Sequence, residues 1–379
     1  MVDHQGRTNE RLPEELTGAV GQIISDQLEK LGKVVGYSSA ACGSDILFLE
    51  AVQNAGGETH VVLPYDQEKF ARDSVAFAGS HWQERFAQVF AKAVKVTTVS
   101  PHQKLSWGSV SYDYANLVLT GMALTHAKQL DTEFTTMAVW DGKEGDGLGG
   151  TASVVKRWQD RHKQKVVIID PAKVMKEAKY KSRRSSASAP SASIRRTALQ
   201  GATEVRATMF VDVVGFTKLT EEQMPAFVEH FLYQVGAMAA VSPDRPVVQE
   251  PRGDGVFFAF DSIAKAGRFA LEVCERVRGV RWNDYGLPED FRVRIGLHAG
   301  PVYHFLCPFT KQLSYTGHHV NHAARIESIT LEGEVYASLA FTALASEEHI
   351  ADFHCEYAGL LPLGKNYGTF PVYHLRRRG

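Results

Sequence analysis

Residues 172–204 cannot belong to a packed core, and that break constrains every fold open to this chain. Lys173, Lys176, Lys179, Lys181, Arg183 and Arg184 lead into the Ser/Ala/Pro run 185–193, and Arg195 and Arg196 follow. Small, polar and basic residues without a hydrophobic period make a flexible linker, helical at most at its start. Ser185, beside the arginines, is a candidate phosphorylation site, and the basic cluster offers a landing point for an anionic partner. The linker divides the 379 residues, too many for one ordinary core, into expected domains at 17–171 and 205–376.

Composition narrows the function classes. A hydrophobic share of 44% and a charged share of 22% are those of a water-soluble globular protein. The net charge of −1 gives no reason to expect nucleic acid as a partner. Cys42, Cys274, Cys307 and Cys355 form no C-x-x-C pair, which suits reduced thiols better than a disulfide frame or zinc site. No apolar run approaches the length of a membrane span, so the expected location is the cytoplasm, with no membrane partner.

In the first domain, apolar runs at 33–37, 60–64, 94–99, 136–140 and 165–170 alternate with helical patterns such as 44–54 and 152–162. This βα order predicts a parallel, doubly wound sheet. Two small-residue loops each follow a strand and precede a helix. One carries Ser38, Ser39 and Gly43, and the other Gly149, Gly150 and Thr151. Together they could cradle a nucleotide or phosphate where the sheet changes direction. Neither is a G-x-G-x-x-G loop or a P-loop.

The second domain mixes hairpins with amphipathic helices, an α+β pattern. The apolar run 207–211 ends in Asp212, and Val213-Val214-Gly215-Phe216-Thr217 turns into a helix. Thr220 and Gln223 make a capping box, and Met224, Val228, Phe231, Val235 and Met238 are expected to share its apolar face. The run 247–260 reads as a hairpin turning at Gly253-Asp254-Gly255. If Asp254 stands beside Asp212, two carboxylates at adjacent strand ends suit hard divalent cations and a polyphosphate. Asn321 and Arg325, four apart, share one helix face.

In order and spacing these pieces resemble the class III adenylate/guanylate cyclase catalytic domain. The motifs are Phe210-x-Asp212-x-x-Gly215-Phe216-Thr217, Gly253-Asp254-Gly255 before an aromatic strand, and Gly317-x-x-Val320-Asn321-x-Ala323-x-Arg325. The segment 294–302 also resembles the family's strand before that last helix. The resemblance implies a ferredoxin-like α+β fold and conversion of a nucleoside triphosphate to a 3′,5′-cyclic nucleotide. It implies two Mg²⁺ or Mn²⁺ per active site on Asp212, Asp254 and the Val213 backbone, and phosphate contacts at Gly215, Phe216, Thr217 and Lys365. Asn321 would orient the ribose and Arg325 would stabilise charge on the α-phosphate. In the family these two come from the facing subunit, so a homodimer with shared sites is expected.

At the two positions where family adenylate cyclases usually carry Lys and Asp or Thr, this chain has Glu250 and Ser314. Glu accepts and Ser can donate a hydrogen bond, which matches an N–H beside a keto oxygen, as in guanine or uracil, better than adenine. An adenylate cyclase, or a degenerate nucleotide-binding or dimerisation module, stays open as an alternative. The first domain resembles the Rossmann-like SLOG nucleotide-sensing fold. Val154 stands where the related hydrolases have a catalytic Glu, so ligand binding is expected there, with a structural or dimerising role and independent catalysis as alternatives.

Overall fold

The computed structural model describes residues 3, 11–100, 109–144, 147, 149–162, 166–180, 202–364 and 367–378. The chain forms two compact units, Met1–Thr197 and Ala198–Gly379. Among the described residues no helix is long and apolar enough to cross a membrane.

The first unit runs α1 (Thr17–Leu31), β1 (Val35–Ser38), α2 (Ser44–Asn54), β2 (Glu58–Leu63), α3 (Gln67–Ser74), α4 (Ser80–Lys92), β3 (Lys95–Thr98), α5 (Ser109–Gln129), β4 (Met137–Val139), α6 (Thr151–His162), β5 (Val167–Ile169) and α7 (Pro171–Glu177). Every strand pair is parallel, as alternating βα order requires. Among the described residues the ladder is not one continuous sheet, however. It divides into β1-β2-β3 and β4-β5. Both β1 and β4 instead line a cavity of about 830 Å³, through Tyr37, Ser38, Met137 and Val139. The core is closed by Val20, Ile24 and Leu28 of α1 against Ile46, Leu49 and Val52 of α2. Val174 of α7 is buried in the same core, so ordered structure continues into the stretch expected to begin the linker. Ser185, Arg195 and Arg196 lie outside the described residues.

The second unit runs β6 (Thr203–Val213), α8 (Met224–Phe227), α9 (Tyr233–Val241), β7 (Val248–Arg252), β8 (Gly255–Phe260), α10 (Ile263–Gly279), β9 (Val293–Leu306), β10 (Leu313–Thr316), α11 (His318–Glu327), β11 (Val335–Ser338), α12 (Leu339–Glu347), β12 (Phe353–Leu363) and β13 (Gly368–Arg377). Its sheet is ordered β12-β13-β11-β9-β6-β8-β7, with β10 added on β9. Only the β9–β11 pair is parallel among these ladders.

Alternation along the strands gives the sheet two different faces. On one, Phe258 and Phe260 meet Phe269 of α10, with ring centroids 5.4 and 5.5 Å apart. The other receives α11, which lands on Gly296 and Gly300 of β9. A Cβ on Gly296 would come within 2.6 Å of the Ala323 carbonyl oxygen, and one on Gly300 within 2.6 Å of His319 Cγ. Glycine at these two positions is what lets the helix lie so close to the sheet.

The helix after β6 departs from its expected phase. Gln223 Oε1 accepts a hydrogen bond from the Thr220 N–H at 3.0 Å, as the capping box requires. Between α8 and α9, however, Val228–Leu232 form a π turn. Such a turn adds a residue and rotates what precedes it. The buried series is therefore Phe227, Phe231, Val235 and Met238, while Val228, expected on the apolar face, is 42% exposed.

Candidate active site

Asp212 reaches its place through strand register. β6 pairs with β9 so that Asp212 stands opposite Arg294, and with β8 so that Val211 stands opposite Val256. The β7–β8 turn then carries Asp254 to the same strand end. Gly253 has φ +70°, in the left-handed region, and a Cβ on Gly255 would overlap the Val211 carbonyl oxygen. One glycine makes the turn and the other permits the close approach. The predicted hairpin forms in full register, from Val248 opposite Ala259 to Arg252 opposite Gly255.

The carboxylate pair has a tight setting. Arg294 donates from Nε and Nη2 to Asp212 Oδ2 at 3.0 and 2.6 Å. Its Nε also lies 2.5 Å from Glu327 Oε1, at the last turn of α11. Burial pushes the Asp212 carboxyl above its usual range despite the Arg294 hydrogen bonds, and the Asp254 charge adds to the rise. Burial also raises Glu327, to about 7, with the Asp212 charge next in importance and Arg294 opposing. Negative charge is thus in excess around a single guanidinium, an environment that favours a cation.

Hard oxygen donors of this kind fit Mg²⁺ or Mn²⁺. Among the described residues no group of three or more His, Cys, Asp or Glu side chains could hold a metal on its own. An ion at Asp212 and Asp254 would therefore complete its coordination with backbone oxygen, water or phosphate. Val213, whose carbonyl is the expected backbone donor, is buried opposite Val293. The chain leaves β6 through Gly215, at φ +73°, into a turn at Phe216–Lys218. There Phe216 packs edge-on to Phe227 at 5.0 Å, and Thr217 is exposed.

Asn321 and Arg325 lie on α11 but have a different set of neighbours. Asn321 is exposed. Arg325 donates from Nη1 to the Gly364 carbonyl at 2.8 Å, and its guanidinium sits 4.2 Å from the centre of the Tyr367 ring. Its contacts therefore go to the β12–β13 hairpin rather than to Asp212. Lys365, in that hairpin, lies outside the described residues. Glu250 on β7 is ion-paired with Arg252 at 2.7 Å. Ser314 on β10 is buried opposite Phe305, beside Tyr315, whose hydroxyl donates to Glu204 Oε1 at 2.7 Å.

Beneath α11 lies a histidine cluster that sequence reasoning passed over. His298 Nε2 is 2.8 Å from His319 Nδ1, and His298 Nδ1 is 2.7 Å from Ser338 Oγ. His322 packs 4.4 Å from His298, and Tyr367 bridges from its hydroxyl to His318. Burial holds His298 and His319 far below the usual imidazole range and His322 at about 3, so all three are neutral. Arg294 and Glu327 were also missed as site residues. Arg294 opens the segment 294–302 and Glu327 stands two residues past the Arg325 motif, but only the β6–β9 register and the landing of α11 bring them to Asp212.

In the first unit, Ser38, Ser39, Gly149, Gly150 and Thr151 all line the cavity between β1 and β4, whereas Gly43 does not. Gly43 instead sits at the N-terminus of α2 with φ +97°. Asn116 Nδ2 donates to the Gly149 carbonyl at 3.1 Å, fixing the second loop. Val154 also lines the cavity.

Residues 256–367 match the family described as adenylate and guanylate cyclase catalytic domain. The match begins at β8, so Asp212, Glu250 and Asp254 lie before it, and Ser314, Asn321 and Arg325 lie within it. No curated protein matches the chain. Solved structures similar to it include the adenylyl cyclase CyaB from P. aeruginosa, 18% identical over 48% of this chain and 98% of that one, with a TM-score of 0.42. Another is the guanylate cyclase domain of RhGC from Catenaria anguillulae in complex with GTP, 22% identical over 46% and 98%, with a TM-score of 0.40. A third is a non-canonical dimeric guanylyl cyclase domain of the RhoGC fusion protein from Blastocladiella emersonii, 20% identical over 46% and 98%, with a TM-score of 0.39. By that match, residues 256–367 of the second unit carry an adenylate/guanylate cyclase catalytic domain.

Proposed function

We propose, from the premise of that catalytic domain, that the chain converts a nucleoside triphosphate to its 3′,5′-cyclic monophosphate and pyrophosphate at Asp212, Asp254, Asn321 and Arg325. The observation that supports it most is the convergence of Asp212 and Asp254 at one strand end, where burial and charge excess favour a cation. Two divalent cations bound there would ease loss of the ribose 3′-OH proton and neutralise charge on the phosphates. The 3′ oxygen attacks the α-phosphorus, its proton passes to solvent, and the bond to pyrophosphate breaks with the electron pair leaving on pyrophosphate.

Asp212 and Asp254 orient the triphosphate from one side, with phosphate oxygens received by backbone N–H groups at 215–217 and by Lys365. Asn321 and Arg325 serve from a second copy of the chain, Asn321 holding the ribose and Arg325 stabilising charge as it builds on the α-phosphate. This arrangement fits the neighbours of Arg325, which within its own chain faces Gly364 and Tyr367. Glu250 and Ser314 read the base, and their acceptor–donor pair favours guanine or uracil over adenine. In the first unit, the glycine-loop cavity supports binding of a nucleotide-like ligand that regulates the cyclase.

The test is to incubate the full chain with each of the four triphosphates and Mn²⁺. Cyclic product and pyrophosphate in equal amounts from GTP or UTP, lost on chelation, are expected. Absence of cyclic product from all four would overturn the proposal.

A further inference from the structure

Two carboxylates meet at one arginine in the second unit, and a third acts on both through its charge. Asp212 Oδ2 takes two hydrogen bonds from Arg294, and Glu327 Oε1 lies 2.5 Å from the same Nε. Asp254 adds its charge to both acids. The carboxylates of Asp212 and Glu327 are mostly shielded, with side-chain exposures of 18% and 12%. Both side-chain hydrogen bonds of Arg294 go to Asp212, while Glu327 Oε1 contacts the same guanidinium as an ion pair. Nε–H donates to Asp212, yet the shortest separation is to Glu327.

We infer that Glu327 and Arg294 are positioning residues that exchange counter-ions with the metal site. Arg294 neutralises Asp212 while no divalent cation is present, and Glu327 retains Arg294 when Asp212 turns to the metal. The inference rests on the reading of Asp212 and Asp254 as metal ligands. It goes beyond that reading because neither Glu327 nor Arg294 touches the reacting atoms.

The physical argument is electrostatic. A cation binding at Asp212 must displace or repel the guanidinium 2.6 Å away, which is costly at short range in a shielded site. A second carboxylate already in contact with the guanidinium lowers that cost, because Arg294 is never left without a counter-charge. Glu327 has the further property of sitting on α11, two residues after Arg325. The exchange therefore links the strand that carries the metal carboxylate to the helix that carries Arg325. A purely structural clamp between β9 and α11 would stabilise the fold without altering cation affinity.

Mn²⁺ binding to the full chain without nucleotide, read from the free-ion EPR signal, separates these roles. Glu327→Gln keeps shape and removes the charge, so Arg294 is left wholly to Asp212. Mn²⁺ affinity should fall by about 10-fold, the effect usual for a residue that orients a metal ligand. Arg294→Met removes the competing cation and should bind Mn²⁺ at least as tightly as the unaltered chain. Unchanged affinity in Glu327→Gln, or weakened affinity in Arg294→Met, overturns the inference. If Glu327→Gln does not fold, Arg294→Met decides alone by the same criterion. Asp254→Ala distinguishes the underlying reading. If that variant binds Mn²⁺ like the unaltered chain, the metal site is misplaced and the counter-ion exchange falls with it. If it loses binding while Glu327→Gln does not, the metal site stands and only the exchange is overturned.

Discussion

Glu250 is held by Arg252 at 2.7 Å, and that ion pair turns its carboxylate into a fixed acceptor. Guanine presents N–H donors beside its keto oxygen, and uracil one N–H between two keto oxygens, so an acceptor and a hydroxyl donor can both be satisfied. Against adenine the carboxylate would face the N1 lone pair and leave a polar group unpaired, which costs on the order of 1–3 kcal/mol. Replacing Glu250 by Lys together with Ser314 by Asp reverses both polarities. The ratio of kcat/KM for ATP over GTP or UTP should rise by at least about 10-fold, since sites built to hydrogen-bond a base discriminate by that much or more. Competing the triphosphates against one another and quantifying each cyclic product measures it. An unchanged ratio would remove both residues from base recognition. The hydrogen-bond polarity of Glu250 and Ser314 was legible because it belongs to residue type. Arg294 and Glu327 were not, because their meeting with Asp212 depends on strand register and helix docking, which no local pattern encodes.

The element that organises the catalytic unit is α11 lying on β9, and its interface carries a pH dependence. His298, His319 and His322 are buried at 4%, 2% and 8% exposure and stay neutral when folded. Their folded pKa values lie below the unfolded value of 6.5, His322 at about 3. The stability they contribute is therefore present above pH 6.5 and is lost as pH falls towards 3, because the unfolded chain takes up protons that the folded chain refuses. Each histidine adds a slope of up to about 1.4 kcal/mol per pH unit. Glu327 runs the other way, its contribution present below 4.5 and lost as pH rises through about 7. Three groups outweigh one, so hydrogen exchange of the β9 and α11 amides should accelerate steeply between pH 6.5 and 5. His322→Leu should flatten that slope by about one proton's worth. A flat profile in the unaltered chain would show that these imidazoles are not buried as described. At this scale much was legible. All five strands of the first unit fall within two residues of the runs that announce them, because short β-branched runs bounded by polar turns mark strands even where, as in β3, they are exposed. The break between β1 and β4 was not, since ladder continuity is decided by packing around a cavity. Nor was the π turn at Val228–Leu232, which shifts the buried series without any residue that signals it.

On the scale of the whole molecule, each chain holds all four proposed catalytic residues but directs them to different neighbours. Asp212 is hydrogen-bonded to Arg294, which also pairs with Glu327, while Arg325 faces Gly364 and Tyr367. A two-fold dimer would let each chain complete the other's site, giving two equivalent sites. Mixing two inactive variants tests this most directly. Asp254→Ala lacks a proposed metal ligand, and Arg325→Ala lacks the charge proposed to stabilise the α-phosphate. In random pairing half of the dimers are mixed, and each mixed dimer holds one site with both defects and one with neither. Cyclic nucleotide formation should be negligible for either variant alone and recover to about a quarter of the unaltered rate after mixing and re-equilibration. A mixture as inactive as its components, beside an active unaltered chain, would contradict a cyclase site completed by two copies.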